Sequence, residues 1–390
     1  MRSVFALAIL CTFLVSAAIA QSAPSAVNVQ SMGAKADGAT DDTAAIQAAI
    51  DKAAGLPVYL PAGKYVVSKP LTYHTRGYQP AIKIFGDGIM ETQIIAKLQG
   101  GAVFDVDGSG VPNQFQMGGY IRDLSIEGAN KPEKAVSGIR LTAAWMLTIE
   151  RVRIKQLTGD AIVVPLRTDF GANPDLYNTE FLDIRQSELS ANGGWGFHGE
   201  NGLGSGNLLI EQCRIGVNAT GGVYTAAHNV RIIDNLIFSN GENNNGGGLV
   251  VDYVQTGGNG LIVEDNEFDG NFAFHIWVKS ADTFRIVSNR MNSWEIGGPF
   301  KDGALHPATH IRLGDNGRVV RDFLISQNYH RSQRASTGAR ADHDLTLYEI
   351  VNNGVVGTIE RPWIPAANNT PKLNKLDNGP RAKIDFHDQP

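Results

Sequence analysis

His198 and Glu200 stand two residues apart in the run Gly196-Phe197-His198-Gly199-Glu200. Tyr224 and Asp252 follow in two later runs of similar form, Gly222-Val223-Tyr224-Thr225 and Gly248-Leu249-Val250-Val251-Asp252. These four side chains are the candidate catalytic groups, because His, Tyr, Glu and Asp can all move protons. A neutral His or an ionised Tyr can remove the proton on the carbon next to a carboxylate, and a Tyr can protonate the oxygen that leaves. Glu200 and Asp252 offer a different chemistry, with one acid and one base acting on a water between them. Arg140, Tyr253, His275, Trp277, Lys279 and Arg312 fall in the same kind of run and are the candidate binding groups.

For these residues to meet, the chain must bring distant strands together. A short apolar phrase recurs as Leu147-Thr148-Ile149, Leu208-Leu209-Ile210, Val230-Arg231-Ile232, Leu261-Ile262-Val263, Phe284-Arg285-Ile286 and Phe323-Leu324-Ile325. Three residues beyond each phrase stand Val152, Cys213, Asn235, Asn266, Asn289 and Asn328. A phrase repeated at a period of a few tens of residues, with variable insertions, means stacked structural units. Strand-like units punctuated by Gly and Asn predict a parallel β-helix, an all-β single-domain solenoid. The Asn series should form a hydrogen-bonded ladder, with Cys213 buried in the same position.

Side chains alternate across a strand. If Ile139, Phe197, Val223, Leu249, Ile276 and Ile311 point inward, then Arg140, His198, Tyr224, Val250, Trp277 and Arg312 point outward. Glu200, Asp252, Tyr253, His275 and Lys279 are assigned to the same outer face. With stacked strands about 4.8 Å apart, His198 and Tyr224 would have Cβ atoms roughly 5 Å apart, and Glu200 and Asp252 would be separated by roughly 9–10 Å. A long face mixing cations and aromatic rings suits a sugar polymer: rings cover the C–H faces of sugars, and Lys or Arg neutralises uronate carboxylates. The groove is expected across 196–279, walled by the insertions 165–180 and 293–309, with Trp294 and His306 at its rim.

The start of the chain carries a second pattern. Thr40 or Asp41 can cap a helix over 43–54, with Ile46 and Ile50 forming one apolar stripe. An amphipathic helix just before the first coil is the expected lid on its open end. The run Val27-Asn28-Val29, Gly33-Ala34, Asp37-Gly38, Asp41-Asp42-Thr43, Ile46-Gln47 and Val58-Tyr59-Leu60-Pro61-Ala62-Gly63-Lys64-Tyr65 resembles the N-terminal segment of the pectate-lyase-like superfamily. That group includes rhamnogalacturonase- and epimerase-like proteins, tailspikes and mannuronan epimerases. The resemblance implies a right-handed parallel β-helix with an N-terminal capping helix, and carbohydrate as substrate. Gly196-Phe197-His198-Gly199-Glu200 is also similar to the Gly-Phe-Asp-Pro-His-Glu run of mannuronan epimerases. It lacks the Asp-Pro pair and its His is displaced, so that family's catalytic assignment is not carried over.

The sequence therefore points to a carbohydrate-active enzyme, with a polysaccharide lyase acting by β-elimination on a uronate polymer placed first. An inverting glycoside hydrolase, an epimerase and a non-catalytic glycan-binding β-helix are the alternatives, since one fold hosts all four. Residues 1–20 read as a signal peptide, with Arg2, an apolar stretch from Val4 to Val15 and Ala18-Ile19-Ala20 before Gln21. The mature chain is then secreted or periplasmic. Residues 21–361 are assigned to the β-helix and 362–390 to a C-terminal tail. A formal net charge of −5, more negative by one once Arg2 is removed, argues against nucleic acid as partner. No later stretch suits a membrane span, and the polysaccharide partner is expected to be acidic. Loss of Cys11 leaves Cys213 alone, so no intrachain disulfide forms. Asp105-Val106-Asp107-Gly108-Ser109-Gly110 lacks the spacing of a calcium loop, so no metal or cofactor is assigned.

Overall fold

The structure is a computed structural model. It describes residues 26–74, 82–108, 116–129, 131–166, 179–200, 206–243, 246–253, 260–295, 305–316, 318–333, 346–351, 354–360, 372–375 and 384–387. The signal segment 1–20 and most of the insertions 165–180 and 293–309 lie outside them.

The described strands pair in parallel, each with its counterpart one coil away, as the repeat requires, except for the antiparallel pair Arg290–Glu295 with Leu305–His306. One sheet, here called the site sheet, runs through Leu71–His74, Gly101–Asp107, Val136–Thr142, Ile162–Val164, Trp195–Gly199, Gly221–Thr225, Leu249–Asp252, the first part of Phe274–Val287, Thr309–Leu313 and Thr346–Ile350. The inward column Ile139, Ile162, Phe197, Val223, Leu249, Ile276 and Ile311 is in register and at most 2% exposed. Each such side chain contributes about 1.5–3 kcal/mol by leaving water. The repeated phrase stacks as Ile149, Ile184, Ile210, Ile232, Val263, Ile286 and Ile325 in a second sheet. Leu182-Asp183-Ile184 is a further copy of the phrase that the sequence reading passed over. Two short strands, Lys372–Lys375 and Ile384–His387, continue both sheets, so the segment set apart as a tail still contributes strands to the coil.

A helix over Thr43–Ala53 buries Ile46, Ala49, Ile50 and Ala53 against the core. The chain over Asp37–Asp41 is a strand, and the N-cap position falls to Asp42 rather than Thr40 or Asp41. Asp42 gives its carboxylate to the Lys35 and Ala36 N–H groups instead, while Asp41 Oδ1 accepts from the Thr43 N–H.

At the coil corners a residue in the left-handed region precedes each ladder rung. Gln212, Asp234, Asp265, Ser288 and Gln327 have φ of 54°, 55°, 57°, 56° and 55°, and Cys213, Asn235, Asn266, Asn289 and Asn328 follow them. Each Asn side-chain oxygen accepts the backbone and side-chain N–H of the rung before it, at 2.9–3.0 Å from Asn235 to Asn328. A second ladder, absent from the sequence reading, runs through Asn192, Asn218, Asn240 and Asn271 with matching bonds. Asn218 is fully buried there, so the Asn-Ala-Thr pattern at 218–220 is no surface acceptor for sugar.

Cys213 is 1% exposed, and burial pushes its thiol up to about 12. Only the thiolate is nucleophilic. Native protein at pH 8 should leave Cys213 unmodified by a thiol reagent, with Cys213 reacting after unfolding; labelling of Cys213 in native protein would contradict this burial.

Candidate functional site

The site sheet places Arg140, Val163, His198, Tyr224, Val250, Trp277, Arg312 and Glu349 in one lateral column. The predicted lateral alignment therefore holds at all six of its positions, although Val250 is only 3% exposed. Three predicted groups are corrected, the first being Asp252, assigned to the outer face but only 6% exposed. His275 is fully buried, because it lies at the inside of a corner where alternation fails: in earlier coils the equivalent positions are Gly222 and Gly248, whose absent side chains would also point inward. Tyr253 is 6% exposed and its hydroxyl is held above the usual phenol value first by burial, so it offers no open ring to a ligand.

His198 is the centre of the arrangement. Its Nδ1 lies 3.1 Å from Asp160 Oδ2 and its Nε2 lies 3.1 Å from Glu200 Oε1. The Tyr224 ring stands edge-on to it, with centroids 5.2 Å apart. Trp195 completes the cluster, 5.8 Å from His198 and 5.5 Å from Tyr224. The Trp195 ring lies over Gly221, where an added Cβ would come within 2.0 Å of it, so the glycine is required by space. Trp195 and Asp160 were both missed in the sequence. The only hint was the density of Gly around them, at 193, 194, 196, 221 and 222.

Tyr224 donates its O–H to Asp252 Oδ2 at 2.7 Å. Burial first, then the Glu200 carboxylate, raises this phenol above its usual value, so it stands protonated at neutral pH. Asp252 is also held by Lys279 Nζ at 3.4 Å and by an ion pair with Arg318. It is thus a buried carboxylate gripped by three donors, and Glu200 is committed to His198. The pair shows no arrangement as acid and base around one water.

The remaining cations differ in availability. Arg140 forms a two-pronged pair with Asp105, and Arg312 forms one with Glu349. Lys279 and Arg318 both pair with the carboxylate of Asp252, beside Tyr224. Lys279 Nζ and the Arg312 guanidinium also lie 4.6 Å and 5.1 Å from the Trp277 ring, a cation–π arrangement on each flank of an aromatic platform. Trp294 and His306 pair across an antiparallel turn, beside Asp269 and Phe272. A cleft of about 900 Å³ lies against the helix, lined by Gln47, Asp51, Ser68, Tyr73 and His74. Among the described residues no cluster of three His, Cys, Asp or Glu could hold a metal ion.

Comparison with known proteins gives the setting. Over 250 residues the chain is 32% identical to the mannuronan C5-epimerase AlgE2 of Azotobacter vinelandii, covering 57% of this chain and 22% of that protein. It is 33% identical over 223 residues to alginate lyase 7 of the same organism, covering 52% of this chain and 24% of the relative. The chain thus spans less than a quarter of each. The A-module of the Azotobacter vinelandii mannuronan C-5 epimerase AlgE4 superposes with a TM-score of 0.59 at 18% identity, over 92% of this chain and 99% of that one, which shows a shared fold. The family described as Rhamnogalacturonase A/epimerase, pectate lyase-like matches residues 26–243, and the chain belongs to it.

Proposed function

We propose that the protein is an exported polysaccharide lyase that cleaves a uronate-containing polymer by β-elimination. The observation that carries this reading is the His198–Tyr224 pair, two proton-moving groups in register on adjacent coils with the phenol held protonated. His198 Nε2 takes the proton from the carbon alpha to the uronate carboxyl group, and Glu200, half exposed, moves off that nitrogen as substrate enters. The electron pair of the broken C–H bond forms the new C=C bond as the bond to the leaving oxygen breaks. Tyr224 gives its proton to that oxygen. Lys279 and Arg318, already on Asp252 beside the phenol, stabilise the phenolate and the substrate carboxylate. Trp277 serves as a platform for a neighbouring sugar. The similarity to proteins named as an epimerase and an alginate lyase supports acidic polymer as substrate.

The test is incubation with alginate, glucuronan and pectate. The expected result is a rise in ultraviolet absorbance from the unsaturated product, with shortened chains. His198→Ala and Tyr224→Phe should each lower kcat at least about a hundredfold, the lower end of what general acid–base catalysis contributes. New reducing ends without absorbance would mean hydrolysis, and changed sugar configuration at constant chain length would mean epimerisation; either outcome removes the lyase reading.

A further inference from the structure

We propose that Asp160 is the positioning residue for His198: it fixes the imidazole as the Nδ1–H tautomer and presents the Nε2 lone pair to the groove. The inference rests on His198 as the base of the proposed reaction, and the geometry behind it is independent of that reaction. Asp160 does not lie on the strand that carries His198. It stands at the corner one coil earlier, just before Ile162–Val164. Its two oxygens are divided between two points of the next coil. Oδ1 accepts the Trp195 N–H at 2.7 Å, and Oδ2 faces His198 Nδ1 at 3.1 Å. The Asp160 N–H in turn donates to Ser137 Oγ at 3.2 Å. The carboxylate is therefore tied at both ends and cannot rotate away without breaking the start of the strand.

An ionised carboxylate only accepts hydrogen bonds. The nitrogen opposite Oδ2 must therefore carry the hydrogen. Glu200 Oε1, 3.1 Å from Nε2, calls for the same hydrogen, but its half-exposed carboxylate can turn to water while Asp160 is fixed. The single hydrogen of a neutral ring therefore stays on Nδ1 and the lone pair is on Nε2. That nitrogen points toward Glu200, whose side chain is 50% exposed, whereas Asp160 is 17% exposed. One carboxylate is built in and the other is on the rim.

The glycine immediately before Trp195 is explained by the same contact. A Cβ at Gly194 would come within 2.1 Å of Asp160 Oδ1 and 2.8 Å of its backbone nitrogen, and one at Gly193 would come within 2.5 Å of the Thr158 carbonyl. Gly194 is thus needed for the space through which Asp160 approaches, and Gly193 for the close pass of the Thr158 carbonyl. When His198 takes the substrate proton at Nε2, the imidazolium that forms keeps its Nδ1–H on Asp160, so the new charge is met without movement.

Histidine-selective ¹⁵N labelling of the whole protein and long-range ¹H–¹⁵N correlation read the tautomer directly. Wild-type protein at pH 8 should show His198 protonated at Nδ1 and bare at Nε2, and Asp160→Asn should shift it toward Nε2–H. The wild-type measurement needs no substitution, so it stands even if the variant folds poorly. Asp160→Asn should lower kcat by about a hundredfold to ten-thousandfold with KM within about threefold, the pattern of a lost transition-state interaction. An Nε2–H ring in the wild type, or an unchanged tautomer and rate in Asp160→Asn, overturns the proposal. If His198→Ala retains full activity while the tautomer behaves as stated, the lyase reading fails and the positioning role of Asp160 stands.

Discussion

Acidification from pH 6 to pH 4 is expected to remove about 8 kcal/mol of folding stability, through three histidines inside the coil. His275, His310 and His330 are at most 1% exposed and lie ring beside ring, His275 tilted by 47° to His310 at 4.8 Å between centroids and His310 stacked on His330 at 4.9 Å. Their hydrogen bonds fix every proton. Asn271 Nδ2 donates to His275 Nδ1 at 3.2 Å, so His275 Nε2–H donates to the Asn292 carbonyl at 3.0 Å. Ser293 Oγ–H donates to the Pro307 carbonyl, which makes it the acceptor for His310 Nε2–H at 2.8 Å. His310 Nδ1 then accepts from His330 Nδ1–H at 2.6 Å, and Tyr348 O–H faces His330 Nε2 at 3.4 Å. All partners are satisfied when all three rings are neutral, and a proton added to His275 or His310 meets another donor.

Burial pushes His275 and His330 from 6.5 down to about 3 and holds His310 well below its ordinary value. Below 6.5 the unfolded chain therefore binds protons that the native chain refuses, and stability falls as the pH falls. Each histidine contributes about 1.4 kcal/mol per pH unit, so the three together contribute about 4 kcal/mol per unit. A loss of about 8 kcal/mol is comparable with the whole stability of a typical domain. Denaturant midpoints measured between pH 7.5 and pH 5 isolate this term, because most carboxylates titrate lower. Removing one ring with His310→Gln should flatten the slope by about 1.4 kcal/mol per unit. A midpoint that does not move across that window would rule out neutral burial of the trio. Trp277, Lys279 and Arg312 ride on the same coils, so the acid-labile segment includes part of the candidate groove.

The column His198–Tyr224–Trp277–Arg312 was legible in the sequence because the site strands are regular over four or five residues, and a two-residue period carries through them. The period breaks at the corners. Gln212, Asp234 and their counterparts take left-handed angles, so residues on both sides of a bend can point inward. His275 was misplaced at another corner, where Phe274, His275 and Ile276 are all buried and the alternation fails without a left-handed residue among them. The ladder through Asn192, Asn218, Asn240 and Asn271 went unseen because a single buried apolar residue, Leu189, Ile215, Ile237 or Phe268, precedes each rung rather than a longer apolar phrase. Ser187, the rung between Val152 and Cys213, was hidden for a different reason. A hydroxyl at this position does the work of an amide, accepting the Val152 N–H at 3.1 Å, and composition does not reveal it. Asp160 was illegible because its partner is 38 residues away and one coil over.

The first ladder yields the second large effect. Asn266→Ala should destabilise the protein by about 3–5 kcal/mol, more than deletion of an ordinary surface amide, because it strands several buried groups at once. Asn266 Oδ1 accepts from the backbone N–H and Nδ2 of Asn235, at 3.0 Å and 2.9 Å. Asn266 Nδ2 donates to the Ile232 carbonyl at 2.8 Å, the Glu264 carbonyl at 3.0 Å and Asn289 Oδ1 at 2.9 Å. Alanine removes both halves of this amide and leaves the Asn235 N–H groups facing an apolar gap in a 1% exposed site. Water has no ready path there, and each orphaned group costs about 1–3 kcal/mol. The left-handed bend at Asp265 loses its compensation as well, since such angles cost about 1–2 kcal/mol in a non-glycine residue. Asn266→Asp separates shape from bonding: it keeps the accepting oxygen but replaces the donor with an oxygen that faces three acceptors. Its loss should equal or exceed that of alanine at pH 7. Chemical denaturation of both variants decides the matter: a loss below about 1 kcal/mol in each would mean that the coil is held by apolar stacking alone and that the amides are incidental to it.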